Sequence, residues 1–563
     1  MMRVSHATQS TQEPITLVDL LHKRGICQPE KLAYTFLVDG DTTTVSLTYA
    51  ELDRQARAVG ALLQDVGATG KRVLLLYPAG LEYISAFFGC LYAGAVAVPG
   101  YQPRFQRSLE RMQSLATDAG ATFALTTASL WAKTQQWSAM APELANLRWF
   151  ITDELAEGTE TSWQEPDINR HTLAMLQYTS GSTSRPKGVM LHHEHLLYNA
   201  HRIRDLLAHT EQSVGVGWLP LHHDMGLLGN VLQPLYAGFP CILMSPMAFL
   251  QRPIRWLQAI SRYQASTSGG PNFAYDICAR KITPAQRATL DLSCWDVALN
   301  GAEPIRPTTL EQFVSRFASC GFRREAFYPC YGLAEATLMV SGGTKAATPV
   351  VRTVHKASLE QHQRAIPCIG AAGAQSVVGC GKSLTDQTII IVDPDTRIQC
   401  PANEVGEIWL AGRSVAQGYW NQPQATQDTF QAHLADTNAG PFLRTGDLGF
   451  LHQDELFISC RLQDAIVIRA RNHYPQDLEA TVEQSHPCLR LGCGAAIAVE
   501  MDGEERLVII QEIERHVQAQ LSRQVEPPRS QEEGEVPQPF DVGTIIGNIC
   551  QAVAEKHDVQ VSA

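Results

Sequence analysis

The stretch "LQYTSGSTSRPKGVML", Leu176 to Leu191, gathers five Ser and Thr hydroxyls, two glycines and one lysine. Small hydroxylated residues around glycine let the backbone approach a ligand closely. Their N–H and O–H groups donate, and Lys187 adds a mobile positive charge. That set suits the oxygens of a polyphosphate. It is not the Gly-x-x-x-x-Gly-Lys-Ser/Thr loop that opens a helix. Here Lys187 follows Pro186, and the chain runs on into the apolar "GVML". A polar surface hairpin would use the same residue types, so the rest of the chain has to decide.

Seven further motifs follow in order: "WLPLHHDMGLLG", "SGGPNFAYDIC", "LNGAEPIRPTTL", "YPCYGLAEATL", "VGEIWLAG", "LRTGDLGF" and "RLQDAIVIRARNHYPQDLE". Several set polar residues just after apolar, strand-like runs. In open α/β sheets that is where ligand sites lie.

The elements that would position them can be read from periodicity. In "KRVLLLYPAGLEYISAFFGCLYAGAVAVP" the run Val73–Tyr77 ends at Pro78. Leu81, Ile84, Phe88 and Leu91 recur at helical spacing, and Ala95–Val98 is a second apolar run. This predicts a βαβ unit of a parallel sheet. "ATFALTT", "CILMSP" and "DVALNGAEP" predict further strands, with a helix around Leu196–Leu207 between the first two. From about Ser376 the texture turns β-rich, in "QTIIIVD", "GEIWLAG" and "ELFIS". The tail predicts a strand pair, an acidic Pro-rich linker over Glu526–Pro539 and a helix around Ile545–Glu555.

A chain of 563 residues is too long for one core and predicts at least two domains. The net charge of −12 argues against a nucleic-acid surface and fits an acidic cytoplasmic enzyme. The 14 cysteines are scattered with no CxxC pair, which predicts free thiols and no zinc site. The most membrane-like stretch, "YISAFFGCLYAGAVAVPG", contains Gly89 and Gly94 and stops at Pro99, so no membrane span is expected.

Taken together, the eight motifs resemble those of the adenylate-forming ligases, which include acyl-CoA synthetases, luciferases and nonribosomal adenylation domains. Within them the chain looks most like the fatty acyl-AMP ligases, through "LAYTFLVDGD", "LLLYPAGLEYISAFFGCLYAGAVAVP" and "RNHYPQDLE". The resemblance covers nearly the whole chain. It implies an α/β protein with a large N-terminal domain over 1–459, built of two α/β subdomains and a β-rich one. A small, incomplete α+β domain over 460–563 would follow a hinge near Gln463–Asp464.

The implied reaction joins a fatty acid to ATP as acyl-adenylate, releasing pyrophosphate. The acyl group then passes to the phosphopantetheine thiol of an acyl carrier protein, in lipid or polyketide assembly. The resemblance assigns Thr179, Ser180, Gly181, Ser182, Thr183 and Lys187 to the ATP phosphates and Glu335 to Mg²⁺. It assigns Gly301, Ala302, Glu303, Tyr331 and Gly332 to the adenine end, Asp447 and Arg461 to the ribose, and His223 to the reacting carboxylate. Met225, Gly226, Leu227, Pro271 and Phe273 would wall the acyl chain. Structural alternatives stay open: Asp447 as a turn residue, Glu335 as a helix cap, His223 as a core histidine, Lys187 as a solvated cation, and Met225 and Phe273 as plain core.

Two departures bear on activity. The segment from about 342 to 379 sits where fatty acyl-AMP ligases carry an insertion absent from CoA ligases. The resemblance gives it the role of hampering small-domain rotation and disfavouring CoA. Relatives also end in a Gly-Lys-rich segment whose lysine enters the site. After Asp464 this chain has only Lys556, in "VAEKHDV". The expectation is a C-terminally truncated chain, impaired in turnover until that segment is restored. A plain acyl-CoA ligase and a non-catalytic acyl or nucleotide-binding module are the rivals.

Overall fold

The computed structural model describes residues 14–103, 106–134, 141–179, 186–368, 373–468, 471–501, 504–514, 542–557 and 559–562. The chain packs as two compact units. The first comprises Met1–Val350, Cys380–Ile389 and Trp409–Thr445; the second comprises Val351–Gly379, Ile390–Ile408 and Gly446–Ala563.

The predicted βαβ unit is present in the first unit. Strands Arg72–Leu75 and Val96–Pro99 pair in parallel, Val73 opposite Ala97, and helix Leu81–Tyr92 joins them. The helix buries eleven of its twelve residues, because it carries apolar side chains nearly all round rather than along one stripe. These strands belong to a six-stranded sheet. Its order is Arg148–Ile151, Phe123–Thr126, Arg72–Leu75, Val96–Pro99, Leu173–Thr179 and Lys187–His192. Only the last pair is antiparallel, and Thr179 faces Lys187 across it.

A nine-stranded sheet lies in the same unit. Strands Phe327–Gly332, Val297–Asn300, Thr267–Gly270 and Gly215–Gly217 are consecutive neighbours in it and run parallel. Their carboxyl ends lead into "GLAE", "GAEP", "PNF" and "WLPLHHDMG" respectively. Four of the sequence motifs therefore emerge side by side at one edge, as the open-sheet rule anticipates. Beneath them Trp256, Tyr275, Trp295 and Phe313 are fully buried and meet edge to face or stacked, with ring centroids 5.2–6.2 Å apart. Such rings bury large apolar areas at fixed orientations and so stiffen the strand ends above.

In the second unit, antiparallel strands Leu443–His452 and Glu455–Arg461 set Asp447 opposite Arg461. The residues expected as an insertion contribute strands Val351–His355 and Ala374–Val378, paired antiparallel, and helix Lys356–His362. This part packs on the C-terminal elements of the same unit. Gln375 donates to Asp477 at 2.8 Å, and Lys356 Nζ lies 2.7 Å from the Lys556 carbonyl and 2.9 Å from His557 Nδ1. The expected domain limit at 459 falls inside this unit. Residues 462–464, the expected hinge, form a short 3₁₀ turn. The tail forms the predicted strand pair, Leu489–Met501 with Glu504–Ile513, and helix Val542–His557. The linker over Glu526–Pro539 lies outside the described residues. Among the described residues, no helix is long and apolar enough to cross a membrane. Among the described residues, none of the fourteen cysteines is in a disulfide.

Candidate functional site

Thr179 ends the strand that enters the hydroxyl-rich loop, and Lys187 begins the strand that leaves it. Ser180, Gly181, Ser182 and Thr183 lie outside the described residues. Lys187 Nζ stands 4.9 Å from the centroid of the Tyr419 ring, within cation–π range. The same Tyr419 donates its hydroxyl to Glu335 Oε1 at 2.8 Å. A lysine and a glutamate from different sheets thus meet on one aromatic side chain, next to the loop. Burial, and then the Glu335 carboxylate, push the Tyr419 phenol well above its ordinary pKa, so it stays a proton donor.

Glu335 sits in a one-turn 3₁₀ helix, Ala334–Ala336, between strands Phe327–Gly332 and Met339–Gly342. Glycine is required at 332 because a Cβ there would stand 1.8 Å from the Leu338 carbonyl oxygen. The half-buried Glu335 carboxylate is a hard oxygen ligand of the kind Mg²⁺ takes, and Tyr419 donates to its Oε1. The residues fit the ion. Tyr331, on the same strand, is buried.

The adjacent strand delivers Gly301, whose Cβ would meet the Cys330 carbonyl oxygen at 2.8 Å. Ala302 follows with φ +67°, a left-handed conformation that turns the chain sharply. Glu303 accepts the Phe273 backbone N–H at 2.5 Å, and Asn272 Oδ1 accepts the Arg306 N–H at 3.2 Å. The adenine-assigned turn and the acyl-assigned Pro271–Phe273 turn are therefore tied together. Just before Gly301, Asn300 is fully buried, and both of its amide atoms lack a protein partner among the described residues. Buried amides are seldom left so, which marks this strand end as a place where a polar ligand fits.

His223 caps the short helix Asp224–Leu227. Its Nδ1 lies 2.6 Å from Asp224 Oδ1, so Nδ1 carries the proton and Nε2 faces away from the pair. The hydrogen bond to Asp224 raises its pKa above the ordinary value against the opposing effect of burial. Burial, and then the charge of His223, instead push His222 down to about 4, so the two neighbours are shifted in opposite directions. Gln177, buried on the strand that enters the phosphate-type loop, donates to the His222 carbonyl at 3.0 Å. Gly226 fits where a Cβ would be 2.1 Å from the Pro220 carbonyl oxygen. Leu227 is fully buried, whereas Met225 is half-buried. Phe273 reaches the Trp218 ring at 6.1 Å, and Trp218 stacks on Phe249 at 4.0 Å. The Trp218–Phe273 contact thus joins the segment that leads to His223 with the Pro271–Phe273 turn.

In the second unit, Asp447 is half-buried with its carboxylate 3.7 Å from Arg461 Nε. Gly446 before it has φ +72°, donates its N–H to the buried Glu407 at 3.2 Å, and leaves open space where a side chain would stand. Asp447 is thus more than a turn residue. It lies in the middle of a ten-residue strand with its carboxylate beside Arg461.

The AMP-binding enzyme family model matches residues 22–420. The chain belongs to the AMP-binding enzyme family. It is 46% identical over 558 residues to the medium-chain-fatty-acid–[acyl-carrier-protein] ligase JamA of Moorena producens, covering 98% of this chain and 91% of that protein. It is 36% identical to the ligase TtuA of the same description from Teredinibacter turnerae, covering 86% and 82%. The fatty acyl-adenylate ligase of L. pneumophila, solved in complex with acyl adenylate and pyrophosphate, aligns with a TM-score of 0.78 at 39% identity, over 97% of this chain and 91% of that one. The resemblance to fatty acyl-AMP ligases and the α/β fold read from the motifs are borne out. Tyr419, Asn300 and Gln177 were missed in this AMP-binding enzyme. The aromatic of "GYW" reads as core by itself; an amide inside an apolar strand was the visible signal for the other two.

Proposed function

We propose that this AMP-binding enzyme activates a fatty acid with ATP and delivers it to the phosphopantetheine thiol of an acyl carrier protein. In the first step a carboxylate oxygen bonds to the α-phosphorus, and the bond from that phosphorus to the bridging oxygen breaks. Pyrophosphate leaves with the electron pair. In the second, the thiol sulfur, having lost its proton, bonds to the acyl carbon, and AMP leaves. The observation that carries the proposal is the convergence of Lys187 and Glu335 on Tyr419, at the mouth of the hydroxyl-rich loop. The names of the relatives JamA and TtuA support the substrate and acceptor.

Each residue has a task set by charge. Thr179 and Lys187, with Ser180, Gly181, Ser182 and Thr183, cradle the phosphates, Lys187 offsetting charge on the departing pyrophosphate. Glu335 would hold Mg²⁺, which would supply positive charge against the phosphates when bound. Gly301, Ala302, Glu303, Tyr331 and Gly332 frame the adenine. His223, whose cationic form is favoured by its pairing with Asp224, screens the approach of carboxylate to phosphate. Met225, Gly226, Leu227, Pro271 and Phe273 hold the alkyl chain. In the second unit, Asp447 accepts from the ribose hydroxyls and Arg461 supports it.

The test is mass spectrometry of the protein incubated with ATP, Mg²⁺ and a ladder of fatty acids. Acyl-adenylate forming with one range of chain lengths is the expected result. Binding of ATP and fatty acid with no adenylate from any of them would contradict the proposal and favour a non-catalytic binding module.

A further inference from the structure

Segment Ser414–Gln422 runs as a strap between the Glu335 turn and the Lys187 strand. At one end the Ala416 N–H donates to the Glu335 carbonyl at 2.8 Å, and buried Thr337, at φ +73°, donates its hydroxyl to the Ser414 carbonyl at 2.6 Å. At the other end the Trp420 N–H donates to the Gly188 carbonyl at 2.8 Å, and Met190 N–H to the Gly418 carbonyl at 2.9 Å. Gln422 Nε2 donates to the Pro186 carbonyl at 2.9 Å, gripping the residue just before Lys187. Tyr419 lies between these two sets of contacts and is 5% exposed.

A buried tyrosine in a strap often only fills space, and Tyr419 does pack edge-on against Phe430 at 5.1 Å. Its polar end does something more specific. The hydroxyl goes to a half-buried carboxylate, and the ring face carries an ammonium. A neutral donor on one oxygen fixes the orientation of the whole carboxylate, as outer-shell partners do for metal ligands elsewhere. We propose that Tyr419 is a positioning residue for adenylation, holding the Glu335 carboxylate and the Lys187 ammonium in mutual register. The inference rests on the reading that these two handle Mg²⁺ and the phosphates. Tyr419 itself touches neither substrate.

The experiment compares Tyr419→Phe, Tyr419→Leu, Glu335→Gln and Lys187→Ala in fatty-acid-dependent ATP–pyrophosphate exchange, titrating Mg²⁺ and ATP separately. Tyr419→Phe keeps the ring under Lys187 and loses the bond to Glu335. Its Mg²⁺ half-saturation should rise about tenfold, with KM for ATP within about twofold of the parent. Tyr419→Leu loses both contacts and should raise KM for ATP as well. A Tyr419→Phe protein with the parent's Mg²⁺ dependence overturns the inference, as does one altered only in thermal midpoint. Should Glu335→Gln and Lys187→Ala also leave both titrations unchanged, the site reading fails and the inference falls with it. Should they be crippled while Tyr419→Phe is not, the inference alone fails.

Discussion

At the scale of single residues, the chemistry turns on where charge is held. Lys187 faces a developing polyanion, and removing one such fixed donor typically lowers turnover by about 10²–10³-fold. Lys187→Ala should therefore lose about that much in adenylation rate while KM for the fatty acid stays nearly constant; an equal rise in fatty-acid KM would place Lys187 at the wrong substrate. His223 offers a pH test. Asp224 raises its pKa, and the cationic form exists below that pKa, so the rate should fall as pH rises through it. In Asp224→Asn that fall should move to lower pH. An unmoved profile would mean that the charge on His223 does not matter. The hydroxyls and Lys187 stood out in the sequence as a small polar loop with one cation, whereas Glu335, His223 and Asp447 were named through the resemblance of their motifs. Tyr419 could not, because nothing local distinguishes a core tyrosine from one whose hydroxyl meets a carboxylate 84 positions away.

At the scale of elements, tight turns after parallel strands do the positioning. The turn from Gly332 to Thr337 is the most constrained, since a Cβ on Gly332 would strike backbone rather than a side chain that could move away. Gly332→Ala should lower stability by about 1–3 kcal/mol, read by urea denaturation, and raise KM for ATP as the Glu335 turn opens. Full activity with unchanged stability would show that the turn relaxes freely. The strands themselves were legible: "RVLLL", "ATFALTT", "CILMSP" and "DVALN" read as strands and are strands, because continuous apolar runs suit sheets covered on both faces. Their order in the sheets was not legible. That Gly215–Gly217, Thr267–Gly270, Val297–Asn300 and Phe327–Gly332 are neighbours is set by long-range packing of Trp256, Tyr275 and Trp295.

At the scale of the whole molecule, several histidines are buried uncharged. Burial holds His193 and His195 at about 4, and His209 and His557 at about 3. Each is below the value of about 6.5 that an unfolded chain would show. The unfolded state therefore binds more protons between these limits. Stability is fully present above about pH 6.5 and is lost as pH falls toward 4. The urea midpoint should drop steeply across that window, and a flat midpoint would mean that these rings are already charged when folded. The insertion-like segment was visible as extra length, but its packing was not. That Lys356 meets His557 and Gln375 meets Asp477 depends on contacts spanning 201 and 102 positions.

The account's central claim is transfer of an adenylated fatty acid to a carrier, and one competition measures it directly. The protein is incubated with ATP, Mg²⁺, a medium-chain fatty acid, an acyl carrier protein bearing phosphopantetheine and an equal concentration of CoA. Both acceptors are then followed by intact mass. Carrier protein acylated on its phosphopantetheine thiol, while CoA stays free, is the predicted result; acyl-CoA as the main product would contradict it and make the chain a CoA ligase.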